Sequence, residues 1–351
     1  MHVIGRREDS TGPVCDLGAY RARDGSTGAS VSLDIDRPHA AVVVGKRGAG
    51  KSHTLAVVAE DLARAPGVAP VVIDPMGVFG GLAETDGAVS GRVHCDPTIR
   101  ADALPPRAWP ALLGLSATEP AGSLIWRAAT ESPTLDEMQA FVADADVTAD
   151  TRRAAANHLA LADSWGVFDA DGLDPVSLCT PGPDVLDLSG LDSEPARAVT
   201  RVVARGLYEA KVADEAETIP WLLIDEAHAF TDEIAAPAIE TVLTRGRTPG
   251  VGIVLATQRP SALPDAAVSQ ADLRIIHRLT AGPDISAMAT ADPTYLDGAL
   301  TARLPRERGC ALVVDDSTES VHEVRVRDRR TRDDGSTPRA SDFGVRSETV
   351  E

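Results

Sequence analysis

Continuous apolar runs, rather than alternating ones, mark the predicted strands of this 351-residue chain. A strand in which nearly every side chain is apolar is buried on both faces, which is typical of a parallel sheet covered by helices. The spacers between many of these runs have helical periodicity, so the pattern predicts an α/β fold with a mostly parallel central sheet. The runs lie at 40–44, 71–74, 185–188, 221–224, 252–256, 273–276 and 310–314.

The stretch from about 101 to 180 has a different pattern, because it is rich in Ala and Leu at helical spacing. It predicts an α-helical insertion within a core that spans 40–324. Thr134 and Glu137 form a capping box, which predicts that a helix begins there. The flanks differ again: 1–39 alternates and predicts a short β-rich N-terminal segment, and 325–351 is charged without periodicity and predicts a flexible tail. Further helices are predicted over 151–165 and about 194–211.

Residues 45–52 read GKRGAGKS, which matches the phosphate-binding loop G-x-x-x-x-G-K-[ST]. The loop follows an apolar run and precedes a helical pattern, the context in which its backbone N–H groups can surround phosphate oxygens. Lys51 is expected to reach the β- and γ-phosphates of ATP, and the Ser52 hydroxyl to bind Mg²⁺. The predicted nucleotide-binding residues are Gly45, Gly48, Ala49, Gly50, Lys51, Ser52 and His53.

The run at 222–224 ends in Asp225 and Glu226, a hydrophobic strand followed by two acids. Such a strand carries its acids to the carboxyl edge of the sheet, beside the phosphate loop. Asp225 is then expected to hold Mg²⁺, and Glu226 to act as the general base that polarises the attacking water. Without the phosphate loop, the same pair would equally fit a solvated strand end.

Two further polar positions are candidates for catalysis. Gln258 belongs to the segment 257–260, which directly follows the run at 252–256, and can sense the γ-phosphate, although a glutamine in a strand-to-loop turn is the alternative. Arg247 lies in a glycine-rich loop and can stabilise charge in a neighbouring subunit's site, which would require a ring. Ordinary surface charge is the alternative for Arg247.

The composition is strongly acidic, with 53 Asp and Glu against 34 Lys and Arg and a net charge of −19. Three of the basic residues are lysines, namely Lys46, Lys51 and Lys211. This bias predicts a salt-in halophile, an archaeon, although a GC-rich genome also favours Arg, Ala, Gly and Asp. Acidic charge speaks against DNA binding in dilute buffer, but in about 1 M salt the Debye length falls to about 3 Å, so an arginine patch can still act.

The four cysteines are scattered, with no CxxC pair, which indicates a reducing cytoplasm and no metal site of that type. The N-terminus MHVIGRREDS is charged and unlike a signal peptide. No apolar run approaches the ~18 residues of a membrane span. A cytoplasmic protein without a membrane partner is expected.

Together the motifs resemble the HerA branch of the HerA–FtsK superfamily of ring-forming ATPases. The resemblance rests on GKRGAGKSHT, VVIDPMGVFGGL, DLSGLD, LLIDEAHAF, LPRERGCALV and the long segment from TRGRTPGVGIVLATQRPS to RIIHRL, over about 30–330. It implies a RecA-like P-loop NTPase core, ATP and Mg²⁺ as ligands, and a homo-hexameric ring that threads double-stranded DNA.

Residue by residue, the resemblance implies ATP binding by Lys51, Mg²⁺ binding by Ser52 and Asp225, and catalysis by Glu226 with Gln258 as sensor. The family's arginine in the glycine-arginine turn falls on Arg247, and an acidic residue near the nucleotide or the subunit interface falls on Asp74. One departure is Val78, where members usually carry a glutamate. Arg259, 325–332 and the cluster Arg303, Arg306 and Arg308 are candidates for the DNA pore, with surface or inter-subunit charge as the alternative.

A second departure concerns the N-terminus. Full-length members begin with a β-barrel that docks a nuclease of the NurA type, and 1–39 is too short for one. A nuclease partner therefore stays open, but docking of that kind is not expected.

Three functions fit these observations: an ATP-driven DNA translocase or helicase motor, including packaging or transfer; a nucleotide-gated ring scaffold that presents an effector without translocating; and a monomeric P-loop regulator or kinase. The glutamate beside Asp225 and the arginine candidate for action in trans argue against the third.

Overall fold

The computed structural model describes residues 2–6, 11–22, 25–84, 91–231, 234–290, 295, 299–332 and 335. These residues contain one sheet with the strand order β1-β3-β2-β12-β11-β10-β4-β9-β8-β5-β7-β6. The strands are β1 His2–Ile4, β2 Val14–Arg21, β3 Thr27–Asp34, β4 Ala40–Val44, β5 Val68–Asp74, β6 Arg92–Cys95, β7 Asp184–Asp187, β8 Ile219–Ile224, β9 Gly252–Thr257, β10 Leu273–Ile276, β11 Cys310–Asp315 and β12 Ser320–Val326.

The centre of the sheet is parallel. All neighbours in the series β10-β4-β9-β8-β5-β7-β6 pair in parallel, and every residue of β5 and β9 is buried. This confirms the α/β fold with a mostly parallel sheet that the continuous apolar runs predicted. The strand β6 was not predicted, because its Arg92–Cys95 sequence is short and largely exposed.

Antiparallel strands extend the sheet beyond β10. The strands β11, β12, β2 and β3 follow one another in antiparallel pairs, and β1 pairs with β3 in parallel. The strands of the N-terminal segment therefore continue the core sheet instead of standing before it. The β2–β12 junction requires a glycine: Gly18 has φ +142, and a Cβ there would lie 2.2 Å from the carbonyl oxygen of Arg325.

Helices cover both faces of the parallel part. They are α1 Lys51–Arg64, α2 Ala108–Leu112, α3 Pro120–Glu131, α4 Leu135–Asp144, α5 Ala149–Ser164, α6 Ser193–Val212, α7 Ala236–Arg245, α8 Asp265–Ser269, α9 Gly282–Ala289 and α10 Leu300–Arg303. One apolar core lies between the sheet and α6 with α7, and it continues into the packed helices α2 to α5. The other lies between the sheet and α1.

Helix ends in the inserted segment follow the sequence signals. Thr134 caps α4, and its Oγ1 accepts a hydrogen bond from the Glu137 N–H at 3.3 Å, as the capping box predicted. The helix predicted over 151–165 begins earlier, at Ala149, because Thr148 acts as its N-cap.

The segment predicted as a flexible tail from 325 differs at its start. Residues 325 and 326 complete β12, and the residues after them contact α1. Arg327 Nη1 donates to Glu60 Oε2 at 2.7 Å, and the N–H groups of Arg330 and Thr331 donate to Glu60 Oε1 at 2.7 and 2.8 Å. The polar character of 327–332 therefore reflects ion pairs with a helix; the rest of 325–351, apart from 335, lies outside the described residues.

Among the described helices, none combines the length and apolarity needed to cross a bilayer.

Candidate active site

Three neighbouring strands bring the predicted catalytic residues to one edge of the sheet. The phosphate loop follows β4, Gln258 follows β9, and Asp225 and Glu226 follow β8. The three strands are adjacent and parallel in the order β4-β9-β8, so their carboxyl ends lie side by side.

The phosphate loop has the backbone that its glycines allow. Gly48 and Gly50 have φ of +74 and +123, and a Cβ on Gly45 would lie 2.6 Å from His277 Cβ. The Lys46 N–H donates to the Arg278 carbonyl oxygen at 2.8 Å, and the Ala49 carbonyl oxygen accepts from the Gly309 N–H at 3.2 Å. The segments after β10 and before β11 thus hold the loop in place.

His277 is the central contact beneath the loop, and the sequence did not single it out as a site residue. It is fully buried; its Nδ1–H donates to the Cys310 carbonyl oxygen at 2.9 Å, and its Nε2 lies 2.9 Å from Thr54 Oγ1 on α1. Burial lowers the pKa of His277 to about 4. The imidazole is therefore neutral at pH 7 and can accept the Thr54 hydroxyl hydrogen bond.

Lys51, Ser52 and Asp225 meet at the start of α1. Ser52 Oγ donates to Asp225 Oδ2 at 2.8 Å, and Lys51 Nζ has a contact of 3.5 Å with the Lys46 carbonyl oxygen. Burial lowers the pKa of Lys51, while the charges of Glu226 and Asp225 raise it in part. Burial also raises the pKa of Asp225.

The donor set fits Mg²⁺. Asp225 is 1% exposed, and its Oδ1 is buried without a hydrogen-bond partner in the described part of the chain. A hydroxyl and a free carboxylate oxygen, with phosphates and waters completing the shell, are the ligands that Mg²⁺ takes in nucleotide sites. The residues present can therefore hold this cation together with a nucleotide.

Glu226 combines backbone strain with an unpaired carboxylate oxygen. Its φ of 45 and ψ of 42 lie in the left-handed region, which is costly for a residue with a side chain and recurs at functional sites. Its Oε2 is buried and accepts no hydrogen bond from the described residues, although it lies 3.4 Å from His228 Nδ1. His228 hydrogen-bonds to Thr257 Oγ1 at 3.1 Å, and burial lowers its pKa.

Gln258 and Arg259 continue the edge beside the phosphate loop. Thr257 accepts a hydrogen bond from the Gly45 N–H at 3.4 Å, so Gln258 directly follows a residue in contact with the loop. Gln258 is half-buried, whereas Arg259 is exposed.

Arg247 does not join this group. Its Nη1 lies 3.9 Å from Asp272 Oδ2, and Asp272 Oδ1 accepts from the Ala40 N–H at 2.9 Å, at the start of β4. Because the phosphate loop follows the end of β4, five residues later, about 16 Å separate the two ends of the strand. Arg247 therefore lies near the amino-terminal ends of the parallel strands, whereas its own chain's phosphate loop lies at their carboxyl ends.

Two other predicted positions have different surroundings. The His53 side chain donates from Nε2 to the Arg327 carbonyl oxygen at 2.7 Å, so its imidazole is engaged with the segment after β12. Asp74 is fully buried and accepts from the N–H groups of Met76 and Phe79 at 3.1 and 2.8 Å. Burial, with the charges of Asp187 and Asp225, raises its pKa to about 6.

Three of the arginine candidates for a DNA pore, Arg303, Arg306 and Arg308, lie in the segment before β11. Arg303 and Arg306 line an open groove of about 710 Å³, and Arg308 is exposed beside it. Arg303 Nε lies 4.0 Å from Glu323 Oε1, so part of its charge is balanced.

Comparison with known proteins identifies the fold and the family. The family model for the central domain of helicase HerA matches residues 17–155, and that for the HerA-like C-terminal domain matches 207–296. The chain is a HerA-like P-loop ATPase. The two matches include the phosphate loop and the Asp225–Glu226 pair, respectively. No curated protein sequence matches the chain.

Solved structures share the fold at low sequence identity. VirB4 of Thermoanaerobacter pseudethanolicus has a TM-score of 0.66 at 18% identity, over 91% of this chain and 97% of that chain. The unbound bacterial conjugative coupling protein TrwBΔN70 has a TM-score of 0.61 at 15% identity, over 94% and 91%. The plasmid coupling protein TrwB in complex with ADP and Mg²⁺ has a TM-score of 0.60 at 15% identity, over 94% and 98%. The likeness confirms a RecA-like core for this ATPase.

Proposed function

We propose that this ATPase is a motor that moves along double-stranded DNA as a ring of identical subunits, with six subunits as in the HerA type. The family match identifies an ATPase, and two of the similar structures are of a coupling protein of plasmid conjugation. One observation carries the proposal. The Ser52–Asp225 hydrogen bond lies beside Lys51 and beside Glu226, whose Oε2 has no hydrogen-bond partner among the described residues.

The residues divide the work of hydrolysis. Lys51 and the loop N–H groups bind the phosphates of ATP, while Ser52 Oγ and Asp225 hold Mg²⁺, which would neutralise charge on the phosphates when bound. Glu226 Oε2 accepts the proton of the attacking water. No residue in the described part of the chain donates a hydrogen bond to this oxygen, which leaves it available for that proton. Gln258, at the end of β9, orients the water and senses the γ-phosphate.

Arg247 acts in a neighbouring subunit. It is 65% exposed on the edge away from its own phosphate loop, so it can reach a γ-phosphate only across a subunit interface. We propose that this arginine completes each site in the ring. DNA contacts would come from exposed arginines such as Arg259 and Arg306, which meet the phosphate backbone without reading bases.

The acidic surface suits a protein of a halophilic archaeon, and we propose that it works in concentrated salt within the cytoplasm.

Displacement of a third strand from a DNA triplex tests translocation directly. The expected result is ATP-dependent displacement that the Lys51→Ala variant does not support. Robust ATP hydrolysis without displacement, in a ring that persists without nucleotide, would instead favour the nucleotide-gated scaffold.

A further inference from the structure

Arg201 on α6 is a buried cation that has no carboxylate partner among the described residues. Arg201 is 5% exposed. Its Nη1 donates to the Ile234 carbonyl oxygen, and its Nε is buried without a hydrogen bond to any described residue. A buried charge is normally paired, because leaving water costs more than one neutral hydrogen bond returns. The position of Arg201 therefore calls for an anion.

The neighbours of Arg201 add positive charge. Arg205, one helical turn further along α6, and Arg107, just before α2, lower the pKa of Arg201 after burial, which is the largest cause. Like charges four residues apart on a helix destabilise it. Among the described residues, Glu209 is the one acid lining the same cavity, and its Oε1 already accepts from Arg205 Nε at 2.7 Å.

These side chains line a cavity of about 380 Å³ between α6, the start of α7 and residues 105–107. The charged residues that line it in the described ranges are three arginines and one glutamate, an excess of two positive charges. Tyr208 and Thr241 add hydroxyl groups, and Pro105 and Pro237 complete the walls. None of these residues belongs to the site formed by the phosphate loop, Asp225 and Glu226.

We propose that this cavity binds a phosphate group, making it a second anion site separate from the ATP site. A phosphate monoester or phosphate ion carries a charge of about −1.5 to −2 at pH 7 and three strong acceptor oxygens, which matches the excess charge better than a carboxylate does. Guanidinium groups offer paired N–H donors in the geometry that phosphate oxygens accept. The inference stands on this cavity alone and does not depend on DNA translocation.

The test is the thermal unfolding midpoint of the full chain in sodium phosphate and in sodium chloride at equal ionic strength. Every sample carries Lys51→Ala, which weakens phosphate binding at the ATP site, so that any remaining contribution of that site is the same in all samples. Phosphate is expected to raise the midpoint by a few degrees, because a ligand that binds only the folded state stabilises it. Arg201→Met is expected to abolish the extra rise without lowering the midpoint in chloride, since an apolar side chain of similar size replaces an unpaired charge.

Matched variants separate binding from general salt effects. Phosphate stabilises many proteins by exclusion from their surface, and that part should remain in every variant. Arg205→Gln and Arg107→Gln, which change more exposed positions, are expected to reduce the rise, while Arg153→Gln on α5 should leave it intact. They also keep the test decisive if Arg201→Met fails to fold.

Short duplex DNA at the same phosphate concentration distinguishes the two sources of the group. A rise with DNA alone, lost in Arg201→Met, would assign the site to the DNA backbone; a rise with inorganic phosphate would assign it to a small phosphate ligand. An equal rise in Arg201→Met and its parent for both ligands, or no rise with either, would overturn the proposal. Loss of self-association in Arg201→Met without any ligand effect would likewise overturn it, by indicating a carboxylate of a second copy.

Discussion

Asp225 and Glu226 are adjacent carboxylates at the end of β8, yet their surroundings differ. Asp225 accepts the Ser52 hydroxyl, whereas the Glu226 side chain is aimed by a left-handed backbone and leaves Oε2 unpaired. One carboxylate is thus fixed to the helix that follows the phosphate loop, and the other keeps a buried oxygen to which no described residue donates a hydrogen bond. This difference supports separate roles in metal binding and proton transfer.

The Glu226→Gln variant should bind ATP and lose turnover. The amide keeps the shape of the side chain but cannot accept the proton, so hydrolysis should fall by about 10²–10⁴-fold. Nucleotide affinity and hydrolysis rate are measured on the same preparation, with Glu131→Gln on α3 as the control. Undiminished hydrolysis in Glu226→Gln would remove this residue from the mechanism.

At the scale of single residues, the sequence identified the candidate site residues that lie in local motifs. Lys51, Ser52, Asp225 and Glu226 each follow or belong to a pattern of fewer than ten residues, and the structure brings these four together. His277 was missed because its partners, Thr54 and the Cys310 carbonyl, are 223 and 33 residues away along the chain. The contact between the His53 imidazole and the Arg327 carbonyl oxygen joins residues 274 positions apart, so the sequence could not reveal it.

At the scale of elements, α1 is held from both sides. The phosphate loop begins it, and the segment after β12 contacts Glu60 and Asp61 in its third turn. Burial raises the pKa of Glu60, but hydrogen bonds from Thr331 and Arg327 outweigh it and lower the pKa below its usual value. The helix that carries Lys51 and Ser52 is therefore positioned partly by residues near the end of the described chain.

The Arg327→Gln variant should lower the free energy of unfolding by about 3 kcal/mol, because it leaves the buried Glu60 carboxylate without its charged partner. Urea unfolding measures the change. The matched control is Arg325→Gln, whose pair with Glu307 is about half exposed on both sides and should cost less than ~1 kcal/mol. Equal effects of the two substitutions would contradict the anchoring role.

The loop before β4 contains a histidine held between two acids. His39 Nδ1 lies 2.7 Å from Asp272 Oδ2, and its Nε2 lies 3.7 Å from Asp34 Oδ2. Burial opposes the charged form, but the two carboxylates raise the pKa of His39 from 6.5 to about 9. Arg6 and Arg247 face the same acids.

This arrangement predicts a loss of stability in alkaline solution. Because the folded pKa exceeds the unfolded one, the contribution is fully present below pH 6.5 and is lost as the pH rises to about 9. Its upper limit is about 3 kcal/mol. Between pH 6 and pH 9, the free energy of unfolding should therefore decrease less with pH in His39→Gln than in the native chain, whereas His158→Gln should leave this decrease unchanged. An unchanged decrease in His39→Gln would contradict the assignment.

Among the elements, buried strands were predicted well and exposed ones poorly. The runs that became β5, β8 and β9 are apolar throughout because helices cover both faces. The strands β6 and β12 carry exposed polar residues, so their partners in the sheet, rather than their own sequences, determine them.

At the scale of the whole molecule, the ATP site and Arg247 lie at opposite ends of the parallel strands of one sheet. The strand β4 joins them, with its start near Asp272 and its end at the phosphate loop. The sequence could suggest a role in trans for Arg247, but only the register of parallel strands shows that a role in cis is out of reach. The role in trans proposed for Arg247 requires a second subunit to bring its own phosphate loop to this arginine.

Arg247→Ala should bind ATP normally and lose hydrolysis by about 10³-fold or more, the magnitude typical of an arginine supplied in trans. Mixing it with Glu226→Gln should recover activity, because sites with an intact Glu226 then receive Arg247 from the neighbour. Arg245→Ala, an exposed arginine two residues earlier, is the control. Failure of the mixture to hydrolyse ATP, with mixed oligomers present, would contradict the trans arrangement.

The central claim, an ATPase that acts on DNA, is tested most directly by the hydrolysis rate with and without linear duplex DNA. The assay uses Mg²⁺ and about 2–3 M KCl, where the acidic surface is screened to within a few ångströms. Stimulation by DNA is predicted for the native chain, and neither basal nor stimulated hydrolysis for Lys51→Ala. Rapid hydrolysis that is the same with and without DNA would contradict the account.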